Sequence, residues 1–145
     1  MRSHSEMFEE VRTFVDEAKA RSSVVAPDWV TQEIVSRHDA GEGPEADWFL
    51  FHAFAGVRNM VREVLRRYKL DPETAAHPDP QTVFEGWERI QTHYLTVRND
   101  EPVIVRIEAM TTDEGEAKAQ ELERMGRGCF EHAQELRRYF AERAA

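Results

Sequence analysis

The chain has 145 residues, of which 28 are acidic and 19 are basic, so its formal charge at neutral pH is -9. A chain of this length can bury its own core, and we expect a single domain over residues 1–145 without a structural metal, cofactor or disulfide. The negative charge repels nucleic acid on average, and the single cysteine, Cys129, has no partner for an internal disulfide.

The N-terminal residues lack the apolar stretch of a secretory signal. The longest apolar stretch covers residues 48–57 and is about half of the ~20 residues that are needed to cross a bilayer. We therefore expect a cytoplasmic protein with no membrane-spanning segment.

The spacing of apolar residues predicts a mainly α chain with one β-hairpin, an α+β fold in which about five helices form a compact bundle. The first helix begins at Ser3 or Ser5, because Ser3 and Glu6 have the spacing of a capping box. The second runs from Pro27 to about His38. The residues of the first helix that we expect in the core are Met7, Val11, Phe14, Val15 and Ala18.

Two further helices are predicted before the hairpin. The third runs from about Asp47 to Lys69 and ends ahead of Pro72, since the residue before a proline disfavours helical geometry. The fourth begins with Asp79 as its N-cap and Pro80 in its first turn. Its predicted buried residues are Val83, Phe84, Trp87 and Ile90.

Residues 93–107 alternate between apolar and polar, which predicts a β-hairpin between the fourth and fifth helices. We expect a three-residue loop at 99–101, because this loop places Val97 opposite Val103 and makes one face of the hairpin wholly apolar. A two-residue loop would instead place Val97 opposite Pro102 and would mix the two faces.

The last predicted helix is long and runs from near Thr111, which has Glu114 at capping-box spacing, to about Arg143. A seam of small and apolar residues recurs along it at helical spacing, which indicates either helix packing or a homodimer contact. The seam consists of Leu122, Gly126, Cys129, Ala133, Leu136 and Phe140. Gly126 and Gly128 each cost a continuous helix up to about 1 kcal/mol, so either a neighbouring group approaches them closely or the helix is broken there.

The third predicted helix carries the candidate binding surface, a stripe of arginine and aromatic residues opposite its core face. The stripe consists of Trp48, Phe51, Arg58, Arg62 and Arg66. Arginine pairs with phosphate and aromatic rings stack on bases, so the stripe suits nucleic acid. Tryptophan and arginine also dominate protein interfaces. In a third interpretation neighbouring elements cover the two rings, and the arginines face water or the acidic side of the first helix.

Common motifs for catalysis and metal binding are absent from the sequence. It has no glycine-rich phosphate loop, no nucleophile elbow and no zinc-protease or paired-cysteine motif. Cys129 and His132 are three residues apart, but two ligands are too few for a zinc site, so we expect Cys129 to be a small buried residue. We assign no catalytic residue and no metal ligand.

Three segments of the C-terminal half lie around the predicted hairpin, at 84–91 (FEGWERIQ), 110–114 (MTTDE) and 135–139 (ELRRY). Through them the stretch 79–143 resembles small uncharacterised bacterial proteins that prophages and plasmids carry. No activity accompanies this resemblance. It implies a bacterial or mobile-element context in which small acidic proteins regulate others by binding them.

We therefore predict a non-enzymatic interaction or regulatory module that binds a protein partner, with a homodimer through the last helix as an open alternative. One variant is an acidic inhibitor that occupies the nucleic-acid channel of another protein. The rival hypotheses are a nucleic-acid-binding regulator that uses the stripe, and an enzyme whose site a single sequence does not reveal.

Overall fold

The computed structural model describes residues 3–37 and 44–145, with side chains from residue 53 onward in the second range. The described residues form six α-helices, α1 (His4–Arg21), α2 (Pro27–Arg37), α3 (Pro44–Arg66), α4 (Pro72–Ala76), α5 (Thr112–Met125) and α6 (Arg127–Ala144). The strands β1 (Val24–Val25), β2 (His93–Arg98) and β3 (Glu101–Arg106) form an antiparallel sheet in the order β1-β3-β2. A mostly helical chain with a small sheet is thus confirmed.

The chain divides into two compact units. The first consists of residues 1–68 and 97–104, and the second of residues 69–96 and 105–145. In the first unit α1, α2 and α3 pack against one another, and in the second α4 and α5 pack against α6. Each unit has its own buried apolar side chains, among them Val15, Val30 and Val61 in the first and Ile90, Leu122 and Leu136 in the second.

The start of α1 confirms the predicted capping box. The Ser3 hydroxyl accepts a hydrogen bond from the Glu6 N–H at 3.2 Å, and the Glu6 carboxylate accepts one from the Ser3 N–H at 2.7 Å. The predicted core residues of α1 are buried except Met7, which is exposed, and Phe8 is buried in its place. Phe8 lies on the same helical face as Val11 and Val15, and its ring buries more apolar surface.

The boundaries of α2 and α3 are close to the predicted ones. The second helix begins at Pro27 as predicted, and its predicted last residue, His38, lies outside the described residues. The third helix begins at Pro44, three residues earlier than predicted, and ends at Arg66. It therefore ends before the Asp71-Pro72 pair, as the sequence indicates.

Residues 79–92 are not helical, so the predicted fourth helix is wrong. The Asp-Pro pair that signals a helix start occurs twice, at 71–72 and at 79–80, and only the first pair begins a helix. Asp71 caps α4 by accepting a hydrogen bond from the Thr74 N–H at 2.7 Å. The carboxylate of Asp79 closes a turn instead. Gly86 has a φ of 89°, a left-handed conformation that an α-helix does not contain.

Gly126 separates α5 from α6, so the prediction of one long C-terminal helix is wrong. Its φ of 129° and ψ of -178° belong to a region that is open essentially to glycine alone. Gly128 lies within α6 and close to α4, since a Cβ at this position would be 2.9 Å from the Ala76 Cβ. The helix is therefore broken at Gly126, whereas α4 closely approaches Gly128, so each of the two predicted explanations applies to one glycine.

The hairpin has a two-residue turn, so the predicted three-residue loop is wrong. Asn99 and Asp100 alone separate β2 from β3, and both are left-handed, with φ of 52° and 61°. Two such residues in succession form a type I′ turn. This turn places Val97 opposite Pro102, and Val97 is 66% exposed.

The predicted register failed because β3 is the central strand and is buried on both faces. Its four successive residues Pro102 to Val105 are all buried. The prediction assumed one solvated face, whereas a strand with two covered faces has no alternation from which a register can be inferred. In the observed register Pro102 occupies a non-hydrogen-bonded position opposite β2. The lack of an N–H group in proline therefore removes no hydrogen bond between β2 and β3.

Replacing Asp100 by glycine is expected to raise the free energy of unfolding by about 0.5 to 1 kcal/mol. The left-handed conformation costs a non-glycine residue about 1 kcal/mol or more, and Asn-Gly is the preferred pair for this turn. Chemical denaturation measures the change. A loss of stability in Asp100→Gly would contradict the two-residue turn.

Candidate interaction surface

Two arginines of the predicted stripe form ion pairs within the first unit. The Arg58 Nη2 lies 2.9 Å from Glu101 Oε1, and its Nε lies 2.7 Å from Asp28 Oδ1. Arg62 donates to both carboxylate oxygens of Glu101, through Nε at 2.7 Å and through Nη2. One carboxylate at the start of β3 thus holds two guanidinium groups of α3.

Arg66 makes a weaker contribution to this cluster. Arg66 is exposed, and its charge adds to the effect of Arg62 and Arg58 in lowering the pKa of the Glu101 carboxyl, for which the Arg62 hydrogen bond is the largest cause. The side chains of Trp48 and Phe51 lie outside the described residues. A phosphate would have to compete with Glu101 for the two paired arginines.

The predicted seam lies in the second unit and is used there for packing within the chain. Its side chains on α5 and α6 are all buried, namely those of Leu122, Cys129, Ala133, Leu136 and Phe140. Gly126 is the residue between the two helices. Side chains buried to this extent offer little surface to a second copy of the chain.

His132 belongs to a buried series of hydrogen bonds in the second unit. The imidazole is fully buried, and its Nδ1 lies 2.8 Å from the Ala75 carbonyl oxygen. Because a carbonyl only accepts, Nδ1 carries the proton. Nε2 accepts from the Tyr94 hydroxyl at 2.6 Å, and that hydroxyl accepts from the Gln91 N–H at 2.9 Å. The imidazole is therefore satisfied inside the fold.

Cys129 and His132 do not converge on a common point. The Cys129 thiol donates to the Pro72 carbonyl at 3.3 Å, and burial raises its pKa. Both side chains bind separate backbone carbonyls of α4. In the part of the chain that the structure describes, no three His, Cys, Asp or Glu side chains are grouped as metal ligands.

Residues 83–91 form a loop, here called the Trp87 loop, which Arg89 fixes on α6. The Glu135 carboxylate accepts hydrogen bonds from the Arg89 backbone N–H at 2.9 Å and from its Nη1 at 3.2 Å. The Glu131 carboxylate lies 2.6 Å from Arg89 Nη2. The two end residues of the loop pair in an isolated antiparallel bridge. The loop is therefore closed at its two ends and fixed to α6 near its C-terminal end.

The Trp87 loop places two aromatic rings against α6. The rings of Trp87 and Phe84 both contact Tyr139 edge to face, with centroids 5.7 and 5.9 Å away. The Arg138 guanidinium lies 4.7 Å from the centroid of the Trp87 ring, which is a cation–π contact. The three rings are partly exposed. We call these four residues, Phe84, Trp87, Arg138 and Tyr139, the Trp87 surface.

Carboxylates flank Trp87 within its loop. Glu85 is exposed, and 83% of the Glu88 side chain is exposed. The Trp87 surface therefore combines aromatic rings with nearby negative charge. Aromatic residues and arginine are enriched at protein interfaces, and polar groups occupy the rim around them.

The sequence prediction placed Phe84 and Trp87 on the buried face of a helix and assigned no binding role to them. Gly86, in the interior of the predicted helix, was the signal in the sequence against a helix in this segment. An aromatic pair in a loop is a better indication of binding than the same pair on a helical stripe, since binding residues are concentrated on loops.

Two shallow clefts lie beside α1 in the first unit. The larger, of about 320 Å³, is lined by Phe8, Arg12, Asp16, Val64, Arg67 and Tyr68. Arg67 lies 4.1 Å above the Phe8 ring, and Arg37 lies 4.4 Å above the Phe14 ring in the smaller cleft of about 250 Å³. Because an arginine covers the aromatic ring in each, little apolar surface is left for a ligand.

No family model matches the chain, and neither does any curated protein or solved structure. Of the helices that the structure describes, none combines the length and the apolar character that crossing a bilayer requires. The function is therefore inferred from the chemistry of the described side chains.

Proposed function

We propose that the chain is a non-enzymatic regulatory module of bacterial or phage origin, which binds a protein partner through the Trp87 surface. The observation that carries the proposal is the pairing of Trp87 and Tyr139, partly exposed and in edge-to-face contact at the surface of the second unit. Tryptophan and tyrosine are among the residues that contribute most to binding energy at protein interfaces.

The anchoring of the Trp87 loop supports this proposal. Arg89 is bound by Glu131 and Glu135, so the ring of Trp87 is displayed from a loop whose position is already set. A preformed loop loses less conformational entropy on binding than a mobile one, and more of the contact energy becomes affinity. The backbone of the loop is therefore suited to bind without rearrangement.

Nucleic-acid binding through the α3 stripe has weaker support. Arg58 and Arg62 would have to leave Glu101 before they could hold a phosphate. The carboxylate they leave would then repel that phosphate. The net charge of -9 also disfavours binding of nucleic acid. It favours instead an acidic inhibitor that occupies a basic channel of its partner protein.

Trp87→Ala is expected to weaken capture of the partner from a bacterial host extract by at least about ten-fold, because a central aromatic residue is lost from the interface. Immobilised wild-type and variant chains are compared by quantitative mass spectrometry of the retained proteins. Phe130→Ala is the matched control, since Phe130 is a 50% exposed aromatic residue on α6 outside the Trp87 surface.

Thermal melting of each variant separates lost binding from lost folding. If Trp87→Ala melts early, Trp87→Leu replaces it, because leucine keeps apolar packing against Tyr139 and lacks the indole. The proposal is contradicted when folded Trp87 variants retain the same proteins as the wild-type chain.

A further inference from the structure

The Trp87 ring is covered by a cation that the chain holds only weakly. The Arg138 guanidinium lies 4.7 Å from the ring centroid, and the Glu142 carboxylate that pairs with it is 3.9 Å away. The side chains of Arg138 and Glu142 are 64% and 63% exposed, so water competes with their ion pair. A cation from outside can therefore replace Arg138 on the ring without breaking a buried interaction.

Two acidic residues of the Trp87 loop lie within two positions of Trp87 in the sequence and are available to such a cation. Glu85 is exposed, and Glu88 is 3.3 Å from Arg89 Nη1, a group that Glu135 also binds. The charge of Arg89 is therefore already paired with Glu135, and Arg89 does not need Glu88 as a partner. A guanidinium that stacks on the indole of Trp87 can use its N–H groups to bind one of these carboxylates at the same time.

We infer that the Trp87 surface receives an arginine-rich segment of the partner protein, with one arginine in the place of Arg138 on the indole. The inference rests on the proposed function and specifies the chemistry of the partner. Arginine suits the site better than lysine, because its planar and weakly hydrated guanidinium stacks on aromatic faces. The net charge of -9 attracts a basic protein and repels polymers of phosphate.

The test uses two synthetic peptides, one of alternating arginine and glycine and one with lysine in place of arginine, titrated calorimetrically into the full chain. The arginine peptide is expected to bind about five-fold more tightly than the lysine peptide and to lose affinity as salt is raised. Glu85→Lys is expected to weaken its binding by about ten-fold. Glu73→Lys, an identical change of charge at an exposed position on α4, is the control and should have little effect.

Arg138→Ala distinguishes displacement on the ring from general charge attraction. It uncovers the indole and is expected to raise the affinity for the arginine peptide by about three-fold. Arg124→Ala removes one exposed positive charge from α5 and should change the affinity less. The inference is overturned if the peptide does not bind, if Glu85→Lys and Glu73→Lys weaken binding equally, or if Arg138→Ala weakens it.

Failure of the inference is distinguishable from failure of the proposed function. A host protein that is retained through Trp87, but is released neither by the arginine peptide nor by salt, overturns the inference and supports the interaction module. Peptide binding with the expected variant pattern, without any host protein that depends on Trp87, supports the arginine site and contradicts the proposed function.

Discussion

Gly115→Ala is expected to lower the free energy of unfolding by about 2 kcal/mol, because overpacking a core costs about 1 to 3 kcal/mol. A Cβ at this position would lie 2.2 to 2.7 Å from three ring atoms of Phe140. The ring cannot move away freely, since it is buried, contacts Tyr139 edge to face at 5.2 Å and is covered by Arg143 at 5.1 Å. Urea denaturation measures the loss.

Gly56→Ala is the matched control for this substitution. Gly56 lies on α3, and a Cβ there would have no neighbour within 4 Å, so alanine should stabilise the helix by up to about 1 kcal/mol. Adding Phe140→Leu to Gly115→Ala should recover part of the loss, because the smaller side chain leaves room for the methyl group. Equal stability of Gly115→Ala and the wild-type chain would show that Phe140 does not pack on this glycine.

Lowering the pH from 7.5 to 5.5 is expected to reduce the stability of the wild-type chain through His132. Burial is the largest cause that lowers the pKa of this imidazole below its ordinary value of 6.5, and the charges of Arg89 and Lys118 lower it further. The Ala75 hydrogen bond and the Glu135 charge act in the opposite direction. The unfolded chain therefore binds the proton more readily, and stability is lost as the pH falls through 6.5.

His132→Gln should remove this slope, since glutamine does not titrate, although its stability at neutral pH will be lower. His77→Gln, which replaces an exposed histidine, is the control. The carboxyl groups whose pKa is lowered in the fold, such as those of Glu116 and Glu123, lose their contribution only below about pH 4.5, outside this window. The same slope in His132→Gln and in the wild-type chain would assign the effect to other groups.

The His132 hydrogen bonds also connect the interior of the second unit to the proposed binding surface. The Tyr94 hydroxyl donates to His132 and accepts from the N–H of Gln91, the last residue of the Trp87 loop. Protonation of Nε2 removes the acceptor for Tyr94, so acid is expected to loosen this end of the loop.

Local signals in the sequence predicted the helix starts where a single turn contains all of the interacting groups. The Ser3 and Glu6 capping box is one example, and Thr111 with Glu114 is another, with backbone-to-side-chain hydrogen bonds of 2.9 and 3.1 Å. These groups are three residues apart, so their geometry depends on no distant part of the chain.

Signals of equal local strength failed where a distant segment decides the outcome. Asp71 and Asp79 are both followed by proline, yet only the first begins a helix. The segment after the second is held on α6 by Arg89, whose partner Glu135 is 46 residues away in sequence. Sequence spacing alone contains no information on such a pair.

The α3 stripe and the Trp87 surface also depend partly on local spacing and partly on contacts between distant residues. The prediction that arginines of α3 lie opposite its core face needs only the helical period, but their partner Glu101 is 39 residues from Arg62. The Trp87 surface requires a loop and a helix that are far apart in the chain, with Trp87 and Tyr139 brought together by folding. No periodic pattern connects those two residues.

The sequence alone determined the amphipathic helices, their caps and the presence of a hairpin, because each of these depends on residues that are close together in the chain. The tertiary structure decided the hairpin register, the break at Gly126 and the conformation of the Trp87 loop. A central strand covered on both faces loses its alternation, and a glycine or a loop takes a special conformation only when packing on another element offsets its cost.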